Sequence, residues 1–112
     1  MRCKIVFTTT SSETEAKKIA RTLLEEKIAA CAQIVPHISS VYWWKGNIDE
    51  SSEVLIIIKT IQDNIQALIA RIKQLHSYDV PEIVAVDIAE GNPSYLSWIK
   101  NSVACIKPAI KK

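Results

Sequence analysis

The sequence predicts an α+β domain, one four-stranded sheet with helices packed on it. Three observations carry that prediction. Short β-branched runs alternate with segments whose apolar residues recur at helical spacing. A helix-start signal stands before each helical segment, at Ser12, Thr60 and Asn92. Gly46, one of 2 glycines, lies between two long strand-like runs and closes them into a hairpin.

Residues 4–9 are rich in β-formers and read as strand one. Ser12 and Glu15 form a capping box, Ser-x-x-Glu. Behind it, Ala16, Ile19, Ala20, Leu23, Leu24 and Ile28 keep one face of helix one apolar, with its end near Lys27. Residues 29–42 read as a long second strand. Pro36 lies inside it and demands an edge position or a bulge. The turn at Lys45, Gly46 and Asn47 returns the chain into strand three, which runs to Lys59 or Thr60.

Thr60 is the expected cap of helix two, with Asp63 at its third position. Ile61, Ile65, Leu68, Ile69, Ile72 and Leu75 share one face, and the helix ends near His76. Pro81 closes a loop before strand four, residues 82–88. Asn92 and Pro93 are a cap and a first helical position. Tyr95, Leu96, Trp98, Ile99 and Val103 give helix three its apolar side, and Pro108 ends regular structure.

The order is β-α-β-β-α-β with a C-terminal helix, the ferredoxin-like sandwich. Right-handed crossovers place strands one and three in the centre and strands two and four at the edges. Strand two exceeds the usual 3 to 10 residues or so. Its hairpin therefore overshoots the helices and projects Tyr42, Trp43 and Trp44. Successive strand residues point to opposite faces, so Tyr42 and Trp44 share one destination and Trp43 has another. A long aromatic edge invites another chain. A closed homo-oligomer pairing these edges is the expectation.

At 112 residues the chain, 1–112, reads as a single domain. A net charge of +2 without a dense basic run argues against nucleic acid as partner, and the tail lysines Lys107, Lys111 and Lys112 read as a solvated end. No apolar run reaches the roughly 20 residues of a membrane span. The first residues enter a strand directly, so no leader is expected and the predicted location is cytoplasmic. The cysteines Cys3, Cys31 and Cys105 are odd in number and widely spaced, which suits reduced, half-buried thiols. The hydroxyl run from Thr8 to Ser12 is a weak anion signal, since capping explains Ser12 and no glycine admits a phosphate. Nucleophile, phosphate-loop and metalloprotease motifs are absent, so the residues give no argument for an enzyme.

Four stretches carry a family resemblance: residues 26–32 (Glu-Lys-Ile-Ala-Ala-Cys-Ala), residues 41–46 (Val-Tyr-Trp-Trp-Lys-Gly), residues 76–83 (His-Ser-Tyr-Asp-Val-Pro-Glu-Ile) and Gly91-Asn92-Pro93 with Tyr95, Leu96, Trp98 and Ile99. Together they resemble the CutA family of divalent-cation tolerance proteins. The resemblance implies a homotrimer of ferredoxin-like subunits, similar in topology to the PII signalling proteins, with interlocking hairpins. It implies a link to tolerance of copper and other divalent metals. It also carries a proposed ligand set of a cysteine, a histidine and a glutamate, whose matching positions here are Thr8, His76 and Glu82. The cysteine is replaced by Thr8, and the usual proline after the histidine by Ser77.

His76 and Glu82 are thus the metal candidates, suited by donor type to a copper or zinc ion but too few for a tight site. His76 equally suits the negative end of helix two without any ion. Lys59, Tyr78 and Trp44 are the candidate lining of a small-ligand cleft between subunits, and Glu82 is expected near Lys59, where a salt bridge is the plainer outcome. Tyr42, Trp43 and Trp44 are the candidate oligomer interface, with packing ahead of ligand stacking as their role. His37 reads as a surface or interface residue. Asp49 and Glu50 read as solvated. Competing readings are an assembly or anchoring scaffold with no small ligand and no catalytic or metal function, and an RNA-binding module. The latter needs aromatics on strand three, where Val54 to Ile58 has none. Beyond its own copies, the expected partner is an unidentified protein or small molecule.

Overall fold

The computed structural model describes residues 2–106. Seven main elements follow one another: β1 (Cys3–Thr10), α1 (Glu13–Glu25), β2 (Cys31–Trp44), β3 (Asn47–Ile61), α2 (Ile65–Leu75), β4 (Ile83–Asp87) and α3 (Pro93–Ser102). All strand pairs are antiparallel and the sheet order is β2-β3-β1-β4. The α+β ferredoxin-like expectation holds, with β1 and β3 central. No described helix is long and apolar enough to cross a membrane. Pro108 and the tail lysines lie outside the described residues.

Register divides the sheet into two faces. Val6 and Thr8 of β1 stand opposite Ile58 and Ile56 of β3. This face packs on α1 and α2, where Ala16, Ile19, Leu23, Leu68 and Ile72 are fully buried. Burying each of the larger side chains contributes about 1.5–3 kcal/mol. The opposite face carries Ile5, Phe7, Leu55, Ile57, Val84 and Val86. α3 covers one end of it, where Ile99 meets Cys3, Ala30 and Ile61. Among the described residues nothing covers the rest of that face, and Val84 and Val86 are exposed.

Several boundaries move for local reasons. The Glu15 backbone N–H donates to Ser12 Oγ at 3.2 Å, so the cap forms. The reciprocal half of the box does not, because the Glu15 carboxylate is engaged by Ser77 and Ser11 instead. α1 stops at Glu25, two residues short of expectation. The Ile28 N–H bonds Leu23 O and the Lys27 N–H bonds Leu24 O, which is a Schellman motif. Its left-handed position, normally glycine, is Lys27 at φ 58°.

Thr60 does not cap helix two. It is the buried penultimate residue of β3, and its hydroxyl donates to Ile28 O at 2.6 Å. A 3-10 turn, Gln62–Asn64, intervenes before α2. Asn64, also buried, donates to Ile28 O and Ala104 O and accepts from the Ile106 N–H. The cap of α3 is as expected, with the Ser94 N–H donating to Asn92 Oδ1 at 3.1 Å.

Pro36 is tolerated in both of the ways anticipated. β2 is an edge strand, and its register slips between Val35 and Ile38 around His37 at φ 60°. The slip has a consequence for the hairpin. Before it, Cys31, Gln33 and Val35 pair with Lys59, Ile57 and Leu55; after it, Ile38, Ser40, Tyr42 and Trp44 pair with Glu53, Ser51, Asp49 and Asn47. One extra residue therefore moves Tyr42 and Trp44 onto the open face and Trp43 onto the other. The hairpin closes through Lys45 at φ 49° and Gly46 at φ 81°, a two-residue turn with both central residues in the left-handed region.

Candidate functional site

The segment after α2 crosses the end of the sheet and gathers side chains from four elements. His76 ends α2, and its side chain is fully buried. Its Nε2 lies 2.7 Å from Thr9 O, and its Nδ1 accepts the Tyr78 backbone N–H at 3.1 Å. An acceptor Nδ1 fixes the other nitrogen as the donor, so the ring is neutral and both nitrogens are committed. Glu15 from α1 lies 3.6 Å from Nδ1 and accepts the Ser77 N–H and hydroxyl at 2.8 and 3.1 Å. Burial pushes the Glu15 carboxyl up, but the hydrogen bonds from Ser77 and Ser11 outweigh it and hold the group below its ordinary range.

Tyr78 leads from this corner to the open face. Its ring lies 4.7 Å from the His76 ring, and its hydroxyl donates to Glu53 Oε2 on β3 at 2.9 Å. Burial, the Glu53 bond and the nearby negative charge push the phenol up to about 12. The Tyr42 hydroxyl meets Ser51 Oγ at 3.2 Å, one pleat further along the hairpin. Tyr78, Glu53, Tyr42 and Trp44 thus form a line toward the hairpin tip.

Lys59 lies elsewhere on the same face. It stands between Ile5 and Cys31, and its ammonium donates to Gln33 Oε1 at 2.9 Å. Glu82 precedes Ile83, which is opposite Thr8. The two are about four residues apart along the strands, roughly 13 Å. The expected Lys59–Glu82 salt bridge is therefore not made within one chain. Lys59, Tyr78 and Trp44 share the open face without touching one another.

A resident copper or zinc ion does not fit these residues. Both His76 nitrogens are taken. Thr8 offers a buried hydroxyl without a hydrogen-bond partner among the described residues, where the resemblance expects a thiolate. No three His, Cys, Asp or Glu side chains among the described residues converge on a point that would hold an ion.

Sequence reading missed Glu15, Glu53, Gln33, Tyr95 and Cys31 as site members. The capping box explained Glu15 locally and hid its long-range role. Lys59 was the available signal for the others, a charge on a central strand after five apolar residues.

Residues 4–102 match the family described as CutA1 divalent ion tolerance protein. The divalent-cation tolerance protein CutA of Thermus thermophilus is 46% identical over 99 residues, which is 88% of this chain and 96% of that one. The chloroplastic CutA 1 of rice (Oryza sativa) is 45% identical over 98 residues, 88% of this chain. There the match spans about half of the relative, 55% of its length. The crystal structure of CutA1 from Oryza sativa superposes with a TM-score of 0.90 at 42% identity, over 93% of this chain and 95% of that one. Fold, residue stretches and chain-wide similarity converge, and the chain belongs to the CutA1 divalent ion tolerance family.

Proposed function

We propose that this chain works as a closed homotrimer in the cellular response to divalent metals, without catalysis and without a resident ion. The hairpin carries this reading. Trp43, Ile48, Val41 and Trp44 are 73, 65, 62 and 58% exposed, and the open face behind them adds Val84 and Val86. Apolar patches of this kind mark interaction surfaces. Both sheet edges are available, the helix-covered face is already filled, and three-fold closure would use the remaining apolar area. Tyr42, Trp43 and Trp44 form the seam in this reading. Lys59 and Tyr78 of one copy, with Trp44 of the next, line the cleft where a small ligand is sensed, in the manner of PII-like signalling.

Replacing Trp43 and Trp44 together by Ser tests the seam. The expected product is a folded single chain with an unchanged far-ultraviolet spectrum. Trimers of undiminished affinity would reject the hairpin as the seam.

The buried His76 favours a second reading, an assembly scaffold in which the corner is purely structural. Calorimetric titration of Cu(II) into wild type and His76→Ala bears on both. Equal, weak binding is expected, with millimolar-range affinity on the order of −4 kcal/mol. A tenfold loss in the variant would make the ring a ligand after all.

A further inference from the structure

The basic groups of this chain divide sharply. Arg2 and Lys4 reach Asp87, Lys17 reaches Glu13, Arg21 reaches Glu25 and Arg71 reaches Glu26. Lys18, Lys27, Lys45, Lys73 and Lys100 reach no carboxylate among the described residues but are exposed, and Lys59 differs from all of these. It sits on a central strand, half-buried, in file with Ile57 and Ile61 and flanked by Ile5 and Cys31. Among the described residues no carboxylate lies within 4.0 Å of its ammonium. Gln33 takes one of its three protons, and the Tyr95 ring lies below it with the centroid 5.5 Å away. A neutral amide and a π-face orient the charge without neutralising it.

The surroundings of the ammonium are flat and apolar. Tyr95 stacks on Trp98 at 5.5 Å with 28° between the planes, and both rings are partly exposed. The Cys31 thiol lies 3.6 Å from the Tyr95 hydroxyl and fixes the ring from β2. A directed cation next to an aromatic shelf matches one ligand chemistry, an anionic head on a planar body.

We propose that Lys59, Gln33, Tyr95 and Trp98 receive a carboxylate, the ammonium pairing with its oxygens and the Tyr95–Trp98 shelf stacking on the group that carries it. The proposal rests in part on the trimer reading. Covering the open face removes water from Lys59, and an unpaired buried charge is then far more costly than a paired one. The carboxylate has two available sources: a free aromatic acid, which uses both the ammonium and the shelf, or an acidic side chain of a neighbouring copy, which uses the ammonium alone.

Sodium benzoate is the probe, followed through the indole N–H resonance of Trp98 in the full chain. Benzamide is the uncharged control, and light scattering on each sample reports the assembly. A free ligand predicts a saturable benzoate shift that weakens at least tenfold for benzamide and for Lys59→Met. Lys59→Arg restores part of it, and the mass stays unchanged. A neighbour's carboxylate predicts no benzoate shift, and a dissociation of the assembly at least tenfold easier in Lys59→Met. If benzoate binding ignores Lys59 and the Lys59→Met assembly matches wild type, the proposal is overturned. A wild type that scatters as a single chain overturns the trimer instead, and leaves the benzoate comparison to decide the site.

Discussion

The two faces of the sheet are built from the same strands but finished differently. On the helix-covered face, Val6, Ile56 and Ile58 have no exposed surface and pack among apolar side chains, beside the buried Thr8 hydroxyl that has no hydrogen-bond partner among the described residues. On the other face, Ile5, Phe7, Leu55 and Ile57 are partly buried, while Val84 and Val86 stand in solvent with the hairpin aromatics beyond them. β3 contributes to both through simple alternation, Ile56 inward and Ile57 outward. One face is complete within the chain. The other has the composition of a core but, beyond the end under α3, has no second layer among the described residues. A domain of this size stabilised by one layer of helices has little apolar surface to spare, which is why the proposed trimer places its seam on the exposed half.

The largest expected effect breaks the comparison directly. Ile56→Ala should lower unfolding free energy by about 2–5 kcal/mol through the cavity it leaves. Its urea midpoint should fall equally at every protein concentration. Val84→Ser with Val86→Ser should instead lower the midpoint most at low concentration, where assembly is lost first. If both variants respond identically to dilution, the two faces are not different in kind.

Asn64 comes next, because it pins the end of the covered face to the chain beyond α3. Asn64→Ala leaves Ile28 O, Ala104 O and the Ile106 N–H short of partners, at a cost of about 1–3 kcal/mol. Equilibrium unfolding at pH 7 measures it.

Glu15 sharpens the corner between the faces. Its folded carboxyl is held below the ordinary value, so its contribution is present above the unfolded pKa and lost as pH falls through the folded one. The stability gap between wild type and Glu15→Gln should be full near pH 7 and shrink as pH falls below the ordinary carboxylate range. A gap that widens on acidification would contradict the assignment. The smallest effect is at Lys27, a left-handed residue with a Cβ. Lys27→Gly should raise stability by up to about 1 kcal/mol in thermal or urea unfolding.

Legibility followed the range of the interactions. Element order, central and edge strands, the Pro36 distortion and the Asn92 cap were readable because neighbours along the chain determine them. Thr60 was misread because its hydroxyl answers a carbonyl 32 residues away rather than the next helix. The same limit applied at the site. His76 was visible as a residue type, but its burial depends on Thr9, 67 residues distant. The face taken by Tyr42 and Trp44 relative to Lys59 depended on a single extra residue at Pro36–His37, which alternation alone does not locate.

The central claim is that the open face and hairpin are completed by copies of the same chain. Static light scattering of the wild-type protein at micromolar concentration tests it most directly. The account predicts a mass three times the 12.5 kDa chain. A mass of one chain, with the fold intact, would contradict it.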